Sequence, residues 1–228
     1  MTIFLFKMLI ILFVKNILLF KNMLEITYTC SLGSLCHSSK ILKRNNLKLC
    51  SYPFDWIFSN CDNIIHCIED NFDIFLDKSY YINISQSKCG HSKYDANMFW
   101  HHNPLINLDN YNYYVRCVDR FKNLLKKPEH KLFTMIFVNM NNINNNFINN
   151  IINFNNKFSK YTSNYTLLVI FHIPNKEQND HIFTYNDNIH FLELHTLSKS
   201  NGLEFSNNND NIYLDNIITS KYNFNIKN

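Results

Sequence analysis

Cys36 is the first side chain whose position suggests covalent chemistry. It lies in the segment 31–42, SLGSLCHSSKIL, directly after a turn of small residues and directly before a helical pattern of apolar residues. A cysteine reacts as its thiolate, and its pKa of about 8.5 falls to roughly 3.5–7.5 beside a helix N-terminus or an imidazolium. Cys36 is therefore a candidate nucleophile, and we expect it to be more acidic than the other cysteines. The alternative is a small buried thiol that packs a helix on a strand, which is the commoner role of a free cysteine.

Two adjacent histidines are candidates to accept the thiol proton. The block 99–104, FWHHNP, places His101 and His102 at the end of a predicted strand. A cysteine followed by a histidine 65 residues later (101 − 36) fits the order found in cysteine peptidases. The spacing leaves open which of the two histidines faces the thiol.

Other chemistries lack their motifs. The chain has three glycines, at positions 33, 90 and 202, so neither a dinucleotide-binding motif nor a Walker motif can be written. The seven cysteines form no C-x-x-C pair, and their odd number leaves at least one thiol free. His101 and His102 are adjacent rather than four residues apart on a helix, which is a poor spacing for metal ligands. We therefore expect no cofactor and no metal.

Composition predicts one folded domain without a nucleic-acid partner. A chain of 228 residues is long enough for a single α/β domain, and a hydrophobic content of 46% excludes a disordered chain. Asparagine, isoleucine, lysine, phenylalanine and tyrosine are abundant throughout, a bias that A- and T-rich codons would produce. The net charge of +4 is modest and the lysines are scattered, so binding to nucleic acid is not expected.

The first 22 residues differ from the rest of the chain. Residues 2–20 are apolar enough to resemble a signal anchor, although Lys7 and Lys15 interrupt them and no small-residue cleavage site follows. We divide the chain into an apolar extension or anchor, residues 1–22, and a domain, residues 23–228. A start of translation at Met23 predicts a cytoplasmic protein, whereas a real anchor predicts membrane association through residues 1–22 alone.

Regular elements must hold the candidate nucleophile and the histidines in place. Residues 25–30 alternate as a short strand, and residues 34–45 carry apolar side chains at helical spacing. Asp55 is placed to cap a second helix that ends near residue 76, and Trp56 is expected to be largely buried. The other elements of this half are predicted strands at residues 80–84 and 94–100.

The C-terminal half predicts alternating helices and strands. The predicted helices are 110–126, 139–156 and 211–218, and the predicted strands are 131–138, 165–173 and 189–195. The helix at 139–156 is rich in asparagine, but its isoleucines and phenylalanines keep a helical period. The fold class is therefore α/β: a single domain with a mixed sheet flanked by helices and with a parallel strand-helix-strand crossover in the C-terminal half.

Four blocks of the sequence carry a resemblance to a known family. They are residues 31–36 (SLGSLC), 53–56 (PFDW), 99–101 (FWH) and 116–121 (RCVDRF). Through these blocks the chain resembles a family of unknown function from bacteria and large DNA viruses that is described as papain-like cysteine peptidases. The similarity spans residues 25–138, with a weaker echo at 189–205. It implies a papain-like fold, whereas the C-terminal half predicts a parallel crossover. The peptidase description rests on motif similarity, so the implied chemistry includes transfer of an acyl group from an amide or ester as well as proteolysis.

The resemblance implies roles for individual residues. Cys36 corresponds to the nucleophile and His101 to the general base, because the family's Phe-x-His-Asp block has its histidine at this position. Here His102 takes the place of the aspartate. Arg116 and Arg120 are candidate ligands for a substrate carboxylate or phosphate, although two basic residues four apart on a helix more often form a solvated face.

The resemblance does not identify the third residue, which should orient the imidazole. Asp55 is our candidate, although a role as a helix cap fits it equally well. Asn103, Asn107 and Asp109 are alternatives because they follow the histidines closely in sequence.

Two classes of function remain open. The first is a thiol-dependent hydrolase or acyltransferase that acts on an unknown peptide, amide or ester through Cys36 and His101. The second is a non-catalytic or carbohydrate-modifying α/β domain in which Cys36 is structural and residues 53–56 form a structural corner. One distance separates them, because a catalytic pair needs the thiol sulfur within about 4 Å of a ring nitrogen, even with loose geometry in the free protein.

Overall fold

The computed structural model of the protein describes residues 24–226. Its strands are β1 (Glu25–Ile26), β2 (Tyr28–Ser31), β3 (Tyr81–Asn83), β4 (Cys89–His91), β5 (Asp95–Phe99), β6 (Lys131–Phe137), β7 (Tyr165–Ile173), β8 (Asp180–Asn186), β9 (Ile189–His195) and β10 (Asn223–Phe224). Its helices are α1 (Cys36–Arg44), α2 (Cys61–Glu69), α3 (Asp73–Leu76), α4 (Leu108–Leu125), α5 (Asn145–Phe158) and α6 (Asn208–Lys221), with a 3-10 turn at Lys78–Tyr80.

A five-stranded mixed sheet forms the centre of the domain, in the order β2-β6-β7-β9-β8. The first four strands are parallel, and β8 pairs antiparallel with β9 at one edge. The helix α5 connects the parallel neighbours β6 and β7, which confirms the predicted strand-helix-strand crossover. The predicted mixed sheet of an α/β domain is therefore confirmed.

Helices cover both faces of this sheet. Alternate residues of β6 enter two separate cores: Phe133 and Met135 pack with residues of α2, α4 and α5, whereas Leu132 and Ile136 pack with residues of α1 and α6. Parallel strands that are buried on both faces have continuous apolar sequences instead of alternating ones. This burial explains the unbroken apolar run of β7, and both β7 and β9 coincide with their predicted ranges.

A smaller antiparallel sheet, β3-β4-β5, belongs to the insertion between α1 and α4. Its last strand ends at Phe99, which is fully buried and forms a β-bridge with Ile57. At the ends of the described chain, β1 and β10 form a short parallel pair. The small sheet therefore ends two residues before His101, and Phe99 anchors this end in the core.

The predicted helix from Asp55 to about residue 76 is wrong in its first part and is interrupted in its second, because α2 ends at Glu69 and α3 begins only at Asp73. The first helix of this region, α2, begins at Cys61, and the Asn60 side chain caps it. The Asp55 carboxylate does not cap a helix, because it accepts hydrogen bonds from the Tyr52 N–H and from the Lys48 ammonium. The local sequence around Asp55 therefore forms a buried turn.

Trp56 is less buried than its neighbours Phe54 and Ile57. Trp56 is partly exposed, and its ring lies 5.8 Å from the Lys48 ammonium. Phe54 supplies the core contact of this block instead. It is fully buried, and its ring centroid lies 5.8 Å from that of Phe72 and 5.5 Å from that of Phe121.

The asparagine-rich segment folds as the helix α5, as predicted, although it begins at Asn145. Asparagine is a poor helix former, but Asn144 caps the first turn by accepting a hydrogen bond from the Phe147 N–H. Ile151, Phe154 and other apolar side chains of one face are buried in the core. Packing of this face therefore outweighs the weak intrinsic propensity.

The predicted extension or anchor at residues 1–22 lies outside the described residues. Within residues 24–226, none of the helices combines the length and the apolar character that crossing a membrane requires.

Candidate active site

A tight turn positions Cys36 at the start of α1, just beyond the carboxyl end of β2. Gly33 lies in this turn with a φ of +92°. A Cβ at this position would lie 1.9 Å from the Ser59 Oγ, which donates a hydrogen bond to the Leu32 carbonyl at 2.9 Å. Glycine provides both the positive φ and the missing side-chain volume. The turn therefore determines where the chain enters α1 and where Cys36 stands.

Cys36 and His101 are in contact. The Cys36 Sγ lies 3.6 Å from the His101 Nε2. The cysteine is partly exposed and the histidine is exposed, so a molecule in solution has access to both. The structure thus brings together the predicted nucleophile and the predicted base, at a distance that fits a thiol–imidazole pair.

His102 packs elsewhere. Its ring centroid lies 4.9 Å from that of Tyr113, a residue of α4. Burial lowers the pKa of His102. Of the two imidazoles that the sequence left open, His101 is therefore the one beside the thiol.

The three alternatives for the third residue have local structural roles. Asn103 is fully buried, with its Oδ1 accepting from the Leu105 N–H at 3.0 Å and its Nδ2 donating to the Ser85 carbonyl at 2.7 Å. Asn107 caps α4, and Asp109 lies exposed in the first turn of that helix. Asn103 therefore anchors the segment that carries the two histidines.

Asp55 is engaged by Lys48 instead of His101. It is fully buried, forms an ion pair with Lys48 and accepts from the Tyr52 N–H at 2.6 Å. Burial raises the pKa of the Asp55 carboxyl, and the Lys48 ammonium offsets part of that effect. Its Oδ1 is buried without a hydrogen-bond partner in the described part of the chain. Within residues 24–226, the His101 side chain forms its hydrogen bond with the Cys36 thiol. An orienting role for Asp55 therefore stays a prediction.

The two candidate substrate ligands, Arg116 and Arg120, lie on the exposed side of α4. Arg120 donates a hydrogen bond to the Ser51 carbonyl at 3.5 Å. The structure does not bring either guanidinium into contact with the Cys36–His101 pair, and their role as anion ligands stays a prediction.

Desolvation dominates the electrostatics of the Cys36 thiol. Burial raises its pKa, the hydrogen bond from its own backbone N–H at the helix start lowers it, and the Asp55 carboxylate raises it again. The net direction is upward, so the hydrogen bond at the helix start does not by itself offset the desolvation. Ionisation near neutral pH therefore requires a proton acceptor, and the His101 Nε2 is in place to be that acceptor.

The first turn of α1 offers backbone hydrogen-bond donors beside the thiol. Leu35 is the N-cap residue and provides no side-chain hydrogen bond, and the first turn contains no acidic residue. The first N–H groups of a helix lack partners within the helix and carry the positive end of its dipole. These donors are suited to stabilise an oxyanion that forms on a carbonyl attacked by Cys36.

All seven cysteines, which lie between residues 30 and 117, are free thiols. Cys36, Cys50 and Cys61 are partly exposed, whereas the other four are buried. Among residues 24–226, no group of three or more histidine, cysteine, aspartate or glutamate side chains is arranged to hold a metal ion. Cys36 is therefore set apart from the other thiols by its contact with an imidazole.

A cleft that the sequence patterns did not predict runs from the first turn of α1 to α5. Its inner part, about 440 Å³, includes Ser34 and Leu35, the two residues before Cys36. Its outer part, about 530 Å³, lies between α2 and α5. Asn60, Phe137 and Phe147 line both parts, so the two parts adjoin. It lies at the carboxyl ends of the parallel strands, where α/β sheets usually bind their ligands.

Comparison with known proteins places the chain in a family. No curated protein matches the chain, and no solved structure matches it. The model of the family described as "Putative papain-like cysteine peptidase (DUF1796)" matches residues 27–206, a range that includes Cys36 and His101. This match confirms the resemblance seen in the four sequence blocks. Because it covers more than half of the 228 residues, the chain belongs to this family.

Proposed function

We propose that the protein is a thiol-dependent hydrolase or acyltransferase that acts on a peptide, amide or ester through Cys36 and His101. The observation that carries this proposal is the distance of 3.6 Å between the Cys36 Sγ and the His101 Nε2. The accessible position of both groups and the backbone donors of the first turn of α1 support it. The family description names the same class of chemistry.

In the first half of the reaction, the Cys36 sulfur attacks the carbonyl carbon of the substrate. Because burial raises the pKa of this thiol, its proton passes to the His101 Nε2 as the sulfur–carbon bond forms. The carbonyl oxygen becomes an oxyanion beside the first N–H groups of α1. The carbon–nitrogen or carbon–oxygen bond then breaks, and the leaving amine or alcohol takes the proton from His101. A thioester on Cys36 remains.

In the second half, His101 removes a proton from the molecule that attacks the thioester. Attack by water releases a carboxylic acid, and the proton held by His101 returns to the sulfur as the carbon–sulfur bond breaks. Attack by an amine or another alcohol releases the transferred acyl group instead. The same two residues therefore serve hydrolysis and acyl transfer.

A structural Cys36 in a non-catalytic or carbohydrate-modifying domain is the competing function. The structural thiols of this protein show what that role requires, because Cys30, Cys67, Cys89 and Cys117 are all at most 1% exposed. Cys36 is partly exposed and lies against an imidazole. Its environment therefore favours chemistry over packing.

Acylation by p-nitrophenyl acetate tests the proposal. We expect a burst of nitrophenolate and an acetyl group on Cys36, located by peptide mass spectrometry. Cys36→Ala should abolish the burst, and His101→Ala should slow it by about 10²–10⁴-fold, the usual contribution of a general base. His102→Ala is the matched control and should change the rate little. Acetyl groups spread evenly over the cysteines, or equal effects of the two histidine substitutions, would contradict the proposal.

A further inference from the structure

The cleft beside Cys36 has an aromatic floor. Phe58, Phe137 and Phe147 line it, and each is partly exposed. The rings of Phe137 and Phe147 meet edge to face, with centroids 4.7 Å apart. Apolar surface left open to solvent in a concave site is typical of a surface that a ligand covers. The floor is therefore suited to an aromatic or large aliphatic group.

The rim of the cleft is built from carboxamides. Asn150, Asn153 and Asn156 recur at every third position along the exposed side of α5, so they lie in a row above the floor. A carboxamide both donates and accepts hydrogen bonds, as a main-chain amide does. The row is therefore suited to pair with the backbone of an extended polypeptide.

Charged side chains at the cleft have both signs. Asp62 and Lys157 line the outer part, and Asp95 lines the inner part. Two carboxylates and one ammonium produce no strong field of a single sign along the cleft. The cleft is therefore suited to a bound segment whose side chains are uncharged.

The cleft lies next to the segments that carry the reactive pair. Ser34 and Leu35 line its inner part and precede Cys36 directly. Phe58, which lines the same part, packs edge to face on Trp100 with centroids 6.0 Å apart. Trp100 precedes His101 directly. A segment that lies in the cleft therefore lies beside the residues that precede Cys36 and beside the Phe58–Trp100 contact that precedes His101.

We propose that this cleft holds an extended, uncharged polypeptide segment with an aromatic or large aliphatic side chain packed on Phe137 and Phe147. The inference rests on the proposed function, because Cys36 must be the reacting group. A polypeptide has an acyl carbonyl at every residue, the group that a thiolate attacks, whereas a glycan backbone has none. Thiol chemistry next to an aromatic and carboxamide cleft therefore points to a polypeptide.

Alkylation of Cys36 by two series of peptide probes tests this assignment. Dipeptidyl chloromethyl ketones and chloroacetyl dipeptide amides extend in opposite directions from the carbon that the sulfur attacks as chloride leaves. We expect a probe with Phe to alkylate Cys36 about tenfold or more faster than the same probe with Glu or Lys, in at least one series. Phe147→Ala should remove this preference. Tyr185→Ala, a matched control on the exposed edge strand β8, should leave it unchanged.

A second variant tests the cleft assignment without removing an apolar side chain from the packed part of the protein. Asn150 is exposed, so Asn150→Lys is expected to fold normally. It should raise the rate of the Glu probe relative to that of the Lys probe, because it adds a positive charge to the rim. An unchanged Glu-to-Lys ratio would place the bound segment outside the cleft and overturn the assignment.

Iodoacetamide separates failure of the cleft assignment from failure of the proposed function. This reagent is too small to need the cleft, so its rate reports the Cys36–His101 pair alone. Slow alkylation that does not depend on His101 would contradict the proposed function. His101-dependent alkylation by iodoacetamide, combined with equal rates for the Phe, Glu and Lys probes in both series, would overturn the cleft assignment alone. Protection of Cys36 by a neutral oligosaccharide without any preference among the peptides would overturn it as well.

Discussion

Lys48 and Asp55 form an ion pair whose side chains are only 8% and 0% exposed. Removing one partner of a buried pair leaves an uncompensated charge, which typically costs about 3–5 kcal/mol. We therefore expect Lys48→Met to lower the free energy of unfolding by about that amount, measured by urea denaturation. The double variant Lys48→Met with Asp55→Leu should lose much less, because no buried charge is left unpaired.

The exposed Asp119 of α4 provides a control for the ion pair, since Asp119→Ala should change the free energy of unfolding by at most about 0.5 kcal/mol. Asp55→Asn decides between the two roles of this carboxylate. A loss of stability would agree with the ion pair that the structure shows. Unchanged stability together with a loss of His101-dependent acylation would instead make Asp55 the residue that orients the imidazole.

Gly33 and Gly202 form a matched pair for testing the turn before Cys36. Both have a positive φ, +92° and +94°, but a Cβ would meet Ser59 at Gly33 and would meet nothing within 4 Å at Gly202. Gly202→Ala should therefore cost about 1–3 kcal/mol from backbone conformation alone. Gly33→Ala should cost clearly more and should slow the acylation of Cys36. Equal costs in urea denaturation would show that the Ser59 contact is unimportant.

Phe54 and Trp56 should differ in their contribution to stability. Phe54 is fully buried among aromatic rings, so Phe54→Ala should cost about 3–5 kcal/mol. Trp56 is partly exposed, so Trp56→Ala should cost less in the same denaturation experiment. A larger loss for Trp56→Ala would mean that Trp56, not Phe54, holds this corner of the core.

Two buried histidines, His37 and His172, and the half-buried His190 should make the protein sensitive to acid. Burial lowers the pKa of His37 to about 3 and the pKa values of His172 and His190 to about 4. Each imidazole titrates near 6.5 in the unfolded chain, so between about pH 6.5 and pH 4 the unfolded state binds more protons than the native state. The stabilisation is therefore fully present above about pH 6.5 and is lost as the pH falls.

Each of these histidines should contribute a slope of up to about 1.4 kcal/mol per pH unit. Urea denaturation from pH 7.5 to pH 4.5 measures the slope, and His172→Gln should reduce it. A free energy of unfolding that stays constant over this range would contradict the burial of neutral imidazoles.

Local sequence patterns predicted most of the fold, because strands and helices that bury one or two faces carry the corresponding period. β8 was not predicted, since this edge strand is largely exposed and its alternation is weak. The sequence around Asp55 predicts a helix cap because the same residue type serves caps and turns, and only its buried contacts distinguish the two.

The site was partly predictable for a similar reason. Cys36 and His101 stand in recognisable sequence blocks, so their pairing could be expected. The choice between His101 and His102 depends on the hydrogen bonds of Asn103 and the packing on Tyr113, which are tertiary contacts. Phe58 and Phe137, which line the cleft, come from separate segments and carry no motif, so no local signal identifies them.

The pH dependence of Cys36 alkylation by iodoacetamide tests most directly whether Cys36 and His101 react as a pair. Rate constants for the Cys36 peptide would be measured by mass spectrometry from pH 5 to pH 10 in the natural protein and in the His101→Ala and His102→Ala variants. Because burial raises the pKa of an unassisted Cys36 thiol, the rate in His101→Ala should fall about tenfold for each pH unit below that pKa. The natural protein and His102→Ala should instead retain a shoulder of high rate near neutral pH, where His101 holds the thiol proton. Superimposable profiles for the natural protein and His101→Ala would contradict the pairing of Cys36 with His101.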